Sequence, residues 1–346
     1  MQKWISVWLV LALGLTIALG ACEAAPPEKP LGPAEFYKGK TVQIVTGQSV
    51  GGAYDLYARL LAPYLEKRLD CDVLVKNIPG AGGSNCYNYL YEMAPQDGSV
   101  LSVAMTYAIY GKDLLGAEGV RWHATEFNWI AQLGTTPAVM ALTSRLPCQN
   151  VVELQKEKGL RFAATGIGST ATDMAAAVIE ALGLDAKIIV GYDGSTETLL
   201  GVLRGEAELC FPSEASVLPH VKTGDIRPIA IAGGVRSNAF PDVPLIEEQV
   251  TLSEQGRKAY DFRVVGDDVK RTVVAPPNVP EDRVAFLREV FKEICQNEEV
   301  AAETAKLSIP IVYLSGAEVA VKIAEAMDRT PEEVEQLKHV LYEKPY

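Results

Sequence analysis

A serine between two glycines is the first feature of this sequence that could do chemistry. The segment Gly47-Gln48-Ser49-Val50-Gly51 fits G-x-S-x-G, the turn on which serine hydrolases carry their nucleophile between a strand and a helix. The largely β-branched run 42–45 predicts a strand before it, and the following segment predicts a helix over 54–67. In hydrolases, however, this turn follows several strands, whereas here it follows the first predicted strand.

The histidines do not complete a catalytic group. His123 lies in a polar connection, His220 near a predicted helix end and His339 near the C-terminus. These positions are typical of surface or capping histidines rather than of a general base that activates a serine. An exported hydrolase using Ser49 therefore remains an alternative interpretation, and we expect no catalytic residue.

A second glycine-containing loop has a partial dinucleotide-binding pattern. The run Gly166 to Ala171 fits G-x-G-x-x-A between a predicted strand and a predicted helix, and Asp193 falls roughly where a ribose-binding acid would lie. The unit begins in mid-chain, however, and it leaves the loop around Ser49 without a role. We therefore expect no nucleotide and no other cofactor.

The two loops share a pattern that favours non-covalent capture of an anion. Each joins a strand to a helix, contains small residues, and leads into a helix whose first turn carries an acid, Asp55 or Asp173. A helix N-terminus presents unpaired N–H groups and a partial positive charge, and glycine allows a ligand to approach the backbone closely. A carboxylate between two such termini gains hydrogen bonds from both. Either loop alone would be interpreted as an ordinary tight turn, but the pair favours capture.

Length and charge limit the class of protein. A chain of 346 residues allows roughly two domains, and a formal charge of −12 argues against a nucleic-acid partner. The overall field repels anions, so an anionic ligand needs local donors. The cysteines include no C-x-x-C spacing, and we expect no metal site.

The N-terminus has the pattern of an export signal. Residues 4–19 are almost wholly apolar after Lys3, and Leu19-Gly20-Ala21-Cys22 resembles a bacterial lipobox in which Cys22 becomes lipidated. We therefore predict a lipoprotein signal peptide over 1–21 and a proline-rich tether over 22–35. The five remaining cysteines leave disulfide pairing open, with Cys71 and Cys86 nearest in sequence. No second apolar run is long enough to span a membrane.

Alternation of strands and helices along the mature chain predicts an α/β fold with mainly parallel sheets flanked by helices. The segments that carry this pattern resemble the Bug-type receptors of tripartite tricarboxylate transporters. The resemblance covers about residues 36–327 and includes Gly-Gly-x-x-Asp-x-x-Ala-Arg from Gly51 to Arg59, Asn-x-Pro-Gly-Ala-Gly from Asn77 to Gly82, and "AFPDVP".

This resemblance implies a two-lobed periplasmic-binding-protein (Venus flytrap) fold. Lobe 1 would comprise 36–140 and 260–346, and lobe 2 would comprise 141–259. It further implies a monomeric, lipid-anchored extracytoplasmic receptor that delivers a small organic carboxylate to membrane permease subunits. A receptor that reports to a membrane signalling protein remains an alternative. The ligand-binding residues carried over from the family are Ser49, Gly51, Gly52, Ala53, Tyr54, Asp55, Tyr107, Gly168, Ser169, Thr170, Asp193, Ser213 and Glu214.

The sequence departs from the family pattern by adding acids near the expected cleft. Asp173, Asp193 and Glu214 make a di- or tricarboxylate a poor match and favour one carboxylate with a neutral or cationic distal group. The structural alternative is that these acids face solvent. Arg59 lies two turns into its helix, so we expect it to brace the lobe, with Asp55 orienting the first loop.

Overall fold

The computed structural model describes residues 32–344 except 136, 167, 213, 307, 308 and 310. Cys22, the leader and most of the tether therefore lie outside the described residues. The strands are β1 Thr41–Thr46, β2 Asp72–Asn77, β3 Val100–Ala104, β4 Asn128–Gln132, β5 Ala138–Thr143, β6 Leu160–Ala163, β7 Ala186–Ile189, β8 Leu209–Cys210, β9 Ile226–Ala232, β10 Thr272–Ala275 and β11 Leu314–Ser315.

Helices pack between and around these strands. They are α1 Pro33–Tyr37, α2 Ala53–Leu69, α3 Ser84–Asn88, α4 Thr106–Leu114, α5 Val151–Leu154, α6 Thr170–Leu182, α7 Ser195–Arg204, α8 Glu214–Lys222, α9 Ile246–Gln249, α10 Glu254–Asp268, α11 Glu281–Cys295, α12 Glu298–Lys306, α13 Gly316–Met327 and α14 Pro331–Lys338. A 3-10 turn covers Ala81–Gly83, and π-helical turns cover Tyr89–Met93 and His339–Glu343.

Two sheets form the cores of two lobes. The first has the order β11-β4-β10-β3-β1-β2, and the second has the order β7-β6-β8-β5-β9. The two-lobed α/β fold predicted from the sequence is therefore confirmed. The division into lobes at residues 140 and 259 stays a prediction, and β5 and α10 each extend across one of these positions.

The expectation of mainly parallel sheets is wrong in detail, because both sheets are mixed. In the first sheet β1 pairs in parallel with β2 and β3, whereas β10 is antiparallel to β3 and β4, and β4 to β11. In the second sheet β6 is parallel to β7 and β8, whereas β5 is antiparallel to β8 and β9. Every antiparallel pair contains β4, β5 or β10, the strands next to the points where the chain passes between the lobes. A strand that follows such a passage is not placed by a βαβ crossover, so it need not be parallel to its neighbour.

Helix α10 was not predicted, and it contacts both lobes. Near its start, a Cβ placed on Gly256 would lie 2.3 Å from the Ala181 Cα in α6, and near its end, one on Gly266 would lie 2.4 Å from the Tyr107 Cβ in α4. The missing side chains allow α10 to touch both neighbours through its backbone. Glycine in a helix interior lowers helix propensity, which explains why the pattern was weak in the sequence.

Apolar packing continues between the lobes. Ala176 and Ala177 of α6 belong to the same buried cluster as Phe262 of α10 and as Val340 and Leu341 beyond α14. The cysteines contribute to the cores as free thiols: Cys71, Cys86, Cys148, Cys210 and Cys295 are all unpaired. A Cys71–Cys86 bridge is therefore absent from this structure.

Candidate functional site

The first loop leads from β1 into an open helix N-terminus. Gly51 has a φ of +82°, a region that favours glycine, and Gly52 is the N-cap of α2 without a side-chain cap. The N–H groups of the first turn, which include those of Ala53 and Tyr54, therefore lack the usual side-chain acceptor. Ser49 and Gly51 are exposed, and Tyr54 is buried. This terminus can donate backbone hydrogen bonds to an anion.

Asp55 fixes the shape of this loop. Its Oδ2 accepts a hydrogen bond of 2.8 Å from the Gly51 N–H, and Arg59 Nε donates to both carboxylate oxygens at 3.0 Å. Asn77 Nδ2 donates to Asp55 Oδ1 at 2.9 Å and to the Gln48 carbonyl at 2.9 Å. Burial disfavours the carboxylate, but the hydrogen bonds outweigh burial and hold the pKa of Asp55 below its ordinary value. Asp55 thus makes a contact that orients the first loop, and Arg59 pairs with Asp55, as the sequence analysis expected of these two residues.

The second loop is a closed turn that ends in a capped helix. The Ser169 N–H donates to the Gly166 carbonyl at 3.0 Å, and Ser169 Oγ accepts from the Thr172 N–H at 3.2 Å as the N-cap of α6. Thr165 Oγ1 donates to Ser169 Oγ at 2.6 Å, and Gly168 has a φ of +74°. The Ser169 donor is therefore used within the loop, and the Thr172 N–H is used by the cap. The N–H groups of Thr170 and Ala171 are the first-turn donors of α6 that have no acceptor among the described hydrogen bonds.

Residues at the start of α4 contact both loops. Gln48 Nε2 in the first loop donates to Met105 Sδ at 3.3 Å. Two residues later, the Tyr107 hydroxyl donates to Asp173 Oδ2 in the first turn of α6 at 2.8 Å. Segment 105–107 thus contacts the first loop and the first turn of α6, and Tyr107, which the resemblance had pointed to, is buried against lobe 2. Gln48 and Met105 carried no chemical signal in the sequence.

Arg263 of α10 was missed by the sequence analysis and lies at the same junction. Its Nη2 donates to the Thr170 carbonyl at 3.0 Å, and its guanidinium lies 4.4 Å from the centre of the Tyr107 ring. An ion pair of 2.9 Å joins it to Asp267, which also accepts from Lys270 at 2.5 Å. The i,i+4 spacing of Arg263 and Asp267 was the one available signal, and such pairs usually lie on a solvated face.

Asp173 is fully buried, which excludes the expectation that it faces solvent. Oδ2 accepts from Tyr107, whereas Oδ1 has no hydrogen-bond partner among the described residues. Burial raises the pKa of Asp173 to about 7, although the Tyr107 hydroxyl and the Arg263 charge favour the ionised form. A buried carboxyl group with an unused acceptor beside a helix N-terminus is a strong candidate for a binding group.

The other second-lobe candidates have local partners. Asp193 is exposed, and its N–H donates to Glu197 Oε2 at 2.7 Å. Glu214 accepts a hydrogen bond from the Ser237 hydroxyl. Ser213 lies outside the described residues. The described hydrogen bonds thus bring Tyr107, Thr170 and Asp173 together, and they connect Asp193 and Glu214 only to other parts of lobe 2.

The geometry gives no support to a serine hydrolase. His123 Nδ1 lies 3.6 Å from Asp113, His339 Nδ1 lies 3.7 Å from Glu343, and the His220 carbonyl accepts from Thr223. Among the described residues, no hydrogen bond or ion pair joins a histidine to Ser49. Within the described ranges, no cluster of three potential metal-ligating side chains occurs. No helix in the same part of the chain is long and apolar enough to span a membrane.

Two α/β lobes, with segment 105–107 of the first in contact with the first turn of α6 in the second, have the architecture of a two-lobed solute-binding protein. Residues 57–338 match the model of the tripartite tricarboxylate transporter family receptor, and the chain belongs to that family. The family resemblance expected from the sequence is thereby confirmed, and the protein is a solute-binding receptor of a family that works in the periplasm.

Individual relatives are distant in sequence. The chain is 26% identical to Protein BugT of Bordetella pertussis over 88% of this chain and 90% of that protein. A TctC solute-binding protein from Polaromonas has a TM-score of 0.69 at 19% identity, over 87% of this chain and 99% of that one. Rpa4515 of R. palustris with adipate shares the fold, with a TM-score of 0.64 at 19% identity over 86% of this chain and 97% of that one. MatC of Rhodopseudomonas palustris with bound malate also shares it, with a TM-score of 0.63 at 20% identity over 85% of this chain and 99% of that one.

Proposed function

We propose that this receptor captures a small organic carboxylate between the N-termini of α2 and α6 and delivers it to the permease of a tripartite tricarboxylate-type transporter. The observation that carries the proposal is that segment 105–107 contacts both the first glycine-containing loop and the first turn of the helix that follows the second loop. The adipate and malate bound by the two R. palustris proteins support an organic acid as the ligand class. Main-chain donors suit a chain whose formal charge of −12 repels anions at long range.

The ligand contacts come from the residues predicted in the two loops. In the first loop they are the backbone groups of Ser49, Gly51, Gly52, Ala53 and Tyr54, held in place by Asp55. In the second they are those of Gly168 and Thr170, with Ser169 as a cap rather than a donor. Asp193, Ser213 and Glu214 act further out on lobe 2, at the rim where a longer ligand would end.

The receptor works as a monomer that is tethered to the membrane by lipid on Cys22. The lipobox-like sequence before Cys22 and the proline-rich segment after it support this arrangement. Metabolic labelling with a fatty-acid analogue tests it directly. The wild type is expected to take up label, and Cys22→Ala is expected to take up none. Equal labelling of both proteins would contradict the anchor.

A thermal-shift screen over organic acids tests capture itself. A ligand that binds only the folded form raises Tm with concentration, by an amount set by the ratio of its concentration to Kd. Adipate and malate belong in the panel beside monocarboxylates and amino acids, and matched sugars serve as uncharged controls. A rise for at least one carboxylate supports the proposal. A rise for sugars alone, or turnover of esters that Ser49→Ala abolishes, would contradict it.

A further inference from the structure

Asp173 lies where a captured carboxylate would meet a second negative charge. It is the fourth residue of α6, and its own N–H already donates to the Ser169 carbonyl at 2.9 Å. A rise of about 1.5 Å per residue puts Thr170, at the start of the helix, only ~5 Å away along the axis. An anion bound at the first turn would therefore lie within strong Coulomb range of the Asp173 carboxylate.

The cations around Asp173 are committed to other acceptors. Arg263 of α10 donates to the Thr170 carbonyl and pairs with Asp267. Lys112 of α4 donates to the Ala81 carbonyl at 2.6 Å and to Ser84 Oγ at 3.0 Å.

The remaining neighbours are hydroxyl and amide groups. They are the Tyr107 hydroxyl of α4, the Tyr342 ring beyond α14 and the Gly168 N–H. None of them supplies a positive charge. Among the described residues, Asp173 Oδ1 thus makes no hydrogen bond of ordinary geometry, with the Gly168 N–H as the nearest donor to this carboxyl and the neighbouring cations already used.

Two carboxylates at this separation cannot both stay ionised without a large penalty. The penalty disappears when the guest carries a positive donor next to its carboxylate. We propose that Asp173 is a specificity-determining residue that accepts a hydrogen bond from the ammonium group of a zwitterionic guest, an amino acid, while the N–H groups of α6 hold the carboxylate of the same guest. This inference rests on the proposed function.

Tyr107 acts as a positioning residue in this arrangement. Its hydroxyl occupies Oδ2, which leaves Oδ1 for the guest. Because Tyr107 belongs to lobe 1 and Asp173 to lobe 2, their bond forms only when the lobes are together. Closure of the lobes over the ligand therefore also orients the Asp173 carboxylate toward the ammonium group of that ligand.

Matched pairs of acids that differ only by the amino group test the inference. Calorimetry at neutral pH compares aspartate with succinate, glutamate with glutarate and alanine with propionate. For the pairs that bind, the wild type is expected to favour the amino member by at least roughly tenfold. In Asp173→Asn, which keeps the shape but cannot ionise, the ratio is expected to fall toward one. Asp185→Asn, which removes the same charge from an exposed position beyond the C-terminal end of α6, is the control and is expected to keep the wild-type ratio.

Two outcomes would overturn the inference alone: an unchanged ratio in Asp173→Asn, or a wild type that prefers the deaminated member. If no carboxylate bound either protein, the proposed function would fail and the inference with it.

A second measurement needs only the wild type, should Asp173→Asn not fold. Calorimetry in buffers of different ionisation enthalpy counts the protons taken up on binding. The deaminated member must neutralise Asp173 with a proton, whereas the amino member brings its own cation. Greater proton uptake for succinate than for aspartate is expected, and equal uptake would overturn the inference.

Discussion

At the scale of single residues, capture of the ligand depends on which backbone N–H groups are free to bind it. Ser169→Pro is a poor test of main-chain capture, because the Ser169 N–H already closes the turn to Gly166. Proline there would break the loop as well as remove a donor, so the two effects could not be separated. The first helical positions are better targets, because proline is tolerated at N1 and the preceding residues already have extended backbones.

Thr170→Pro and Ala53→Pro should each weaken carboxylate binding without unfolding the protein. Ser169 has φ −86° and ψ 155°, and Gly52 has φ −70° and ψ 162°, both of which suit a following proline. Loss of one hydrogen bond to a charged ligand costs about 1.5–3 kcal/mol, or on the order of 10- to 150-fold in Kd. Calorimetry is the measurement, with Thr170→Ala and Ala53→Ser as controls that keep the N–H. Equal losses in each proline variant and its control would contradict backbone capture.

Asp55→Ala should loosen the first loop. Asp55 accepts from Gly51, Arg59 and Asn77 while only 1% exposed, so its removal leaves these donors without their acceptor. We expect a loss of about 1–3 kcal/mol in the free energy of unfolding by urea titration, together with faster amide exchange over 47–52. Arg59→Ala should cost less, because the Arg59 side chain is 47% exposed. A smaller loss for Asp55→Ala than for Arg59→Ala would contradict the role of Asp55.

At the scale of elements, the regular βα units could be predicted and the crossings between lobes could not. Strand β1 and helix α2 lie close to the predicted 42–45 and 54–67, because a β-branched run and a helical apolar pattern are local signals. The antiparallel pairing of β10 depends on where the chain returns from lobe 2, which no local pattern encodes. Asp173 was noticed as an acid, but its burial depends on Tyr107, which lies in another lobe.

Helix α10 makes the most specific prediction at this scale. Gly266→Ala and Gly256→Ala should destabilise the protein by about 1–3 kcal/mol, although alanine normally favours a helix by up to ~1 kcal/mol. The cause is steric, because the new Cβ atoms would overlap the Tyr107 side chain and the α6 backbone. Urea unfolding measures the effect, and Gly32→Ala, whose Cβ meets nothing within 4 Å, is the control. Stabilised α10 variants would show that the helix is not held between the lobes as described.

At the scale of the whole molecule, one buried acid links stability to pH. Burial raises the pKa of Asp173 from 3.8 to about 7, so this group contributes stability at low pH that is lost as pH rises through about 7. Between the ordinary pKa of 3.8 and the folded pKa of about 7, its contribution to the free energy of unfolding falls by roughly 1.4 kcal/mol per pH unit. As the pH rises toward 7, the wild type should therefore lose stability relative to Asp173→Asn, which does not titrate at this position. A difference that does not vary with pH would show that Asp173 has an ordinary pKa in the folded protein.

In the proposed function, the backbone of both lobes binds one carboxylate at the same time. Amide hydrogen exchange, measured by mass spectrometry with and without the acid that raises Tm most, tests this most directly because it reports on both loops in a single experiment. We expect the ligand to slow amide exchange in residues 49–55 and in residues 166–172 together. Protection of only one of the two loops, or of neither, would contradict capture from both lobes.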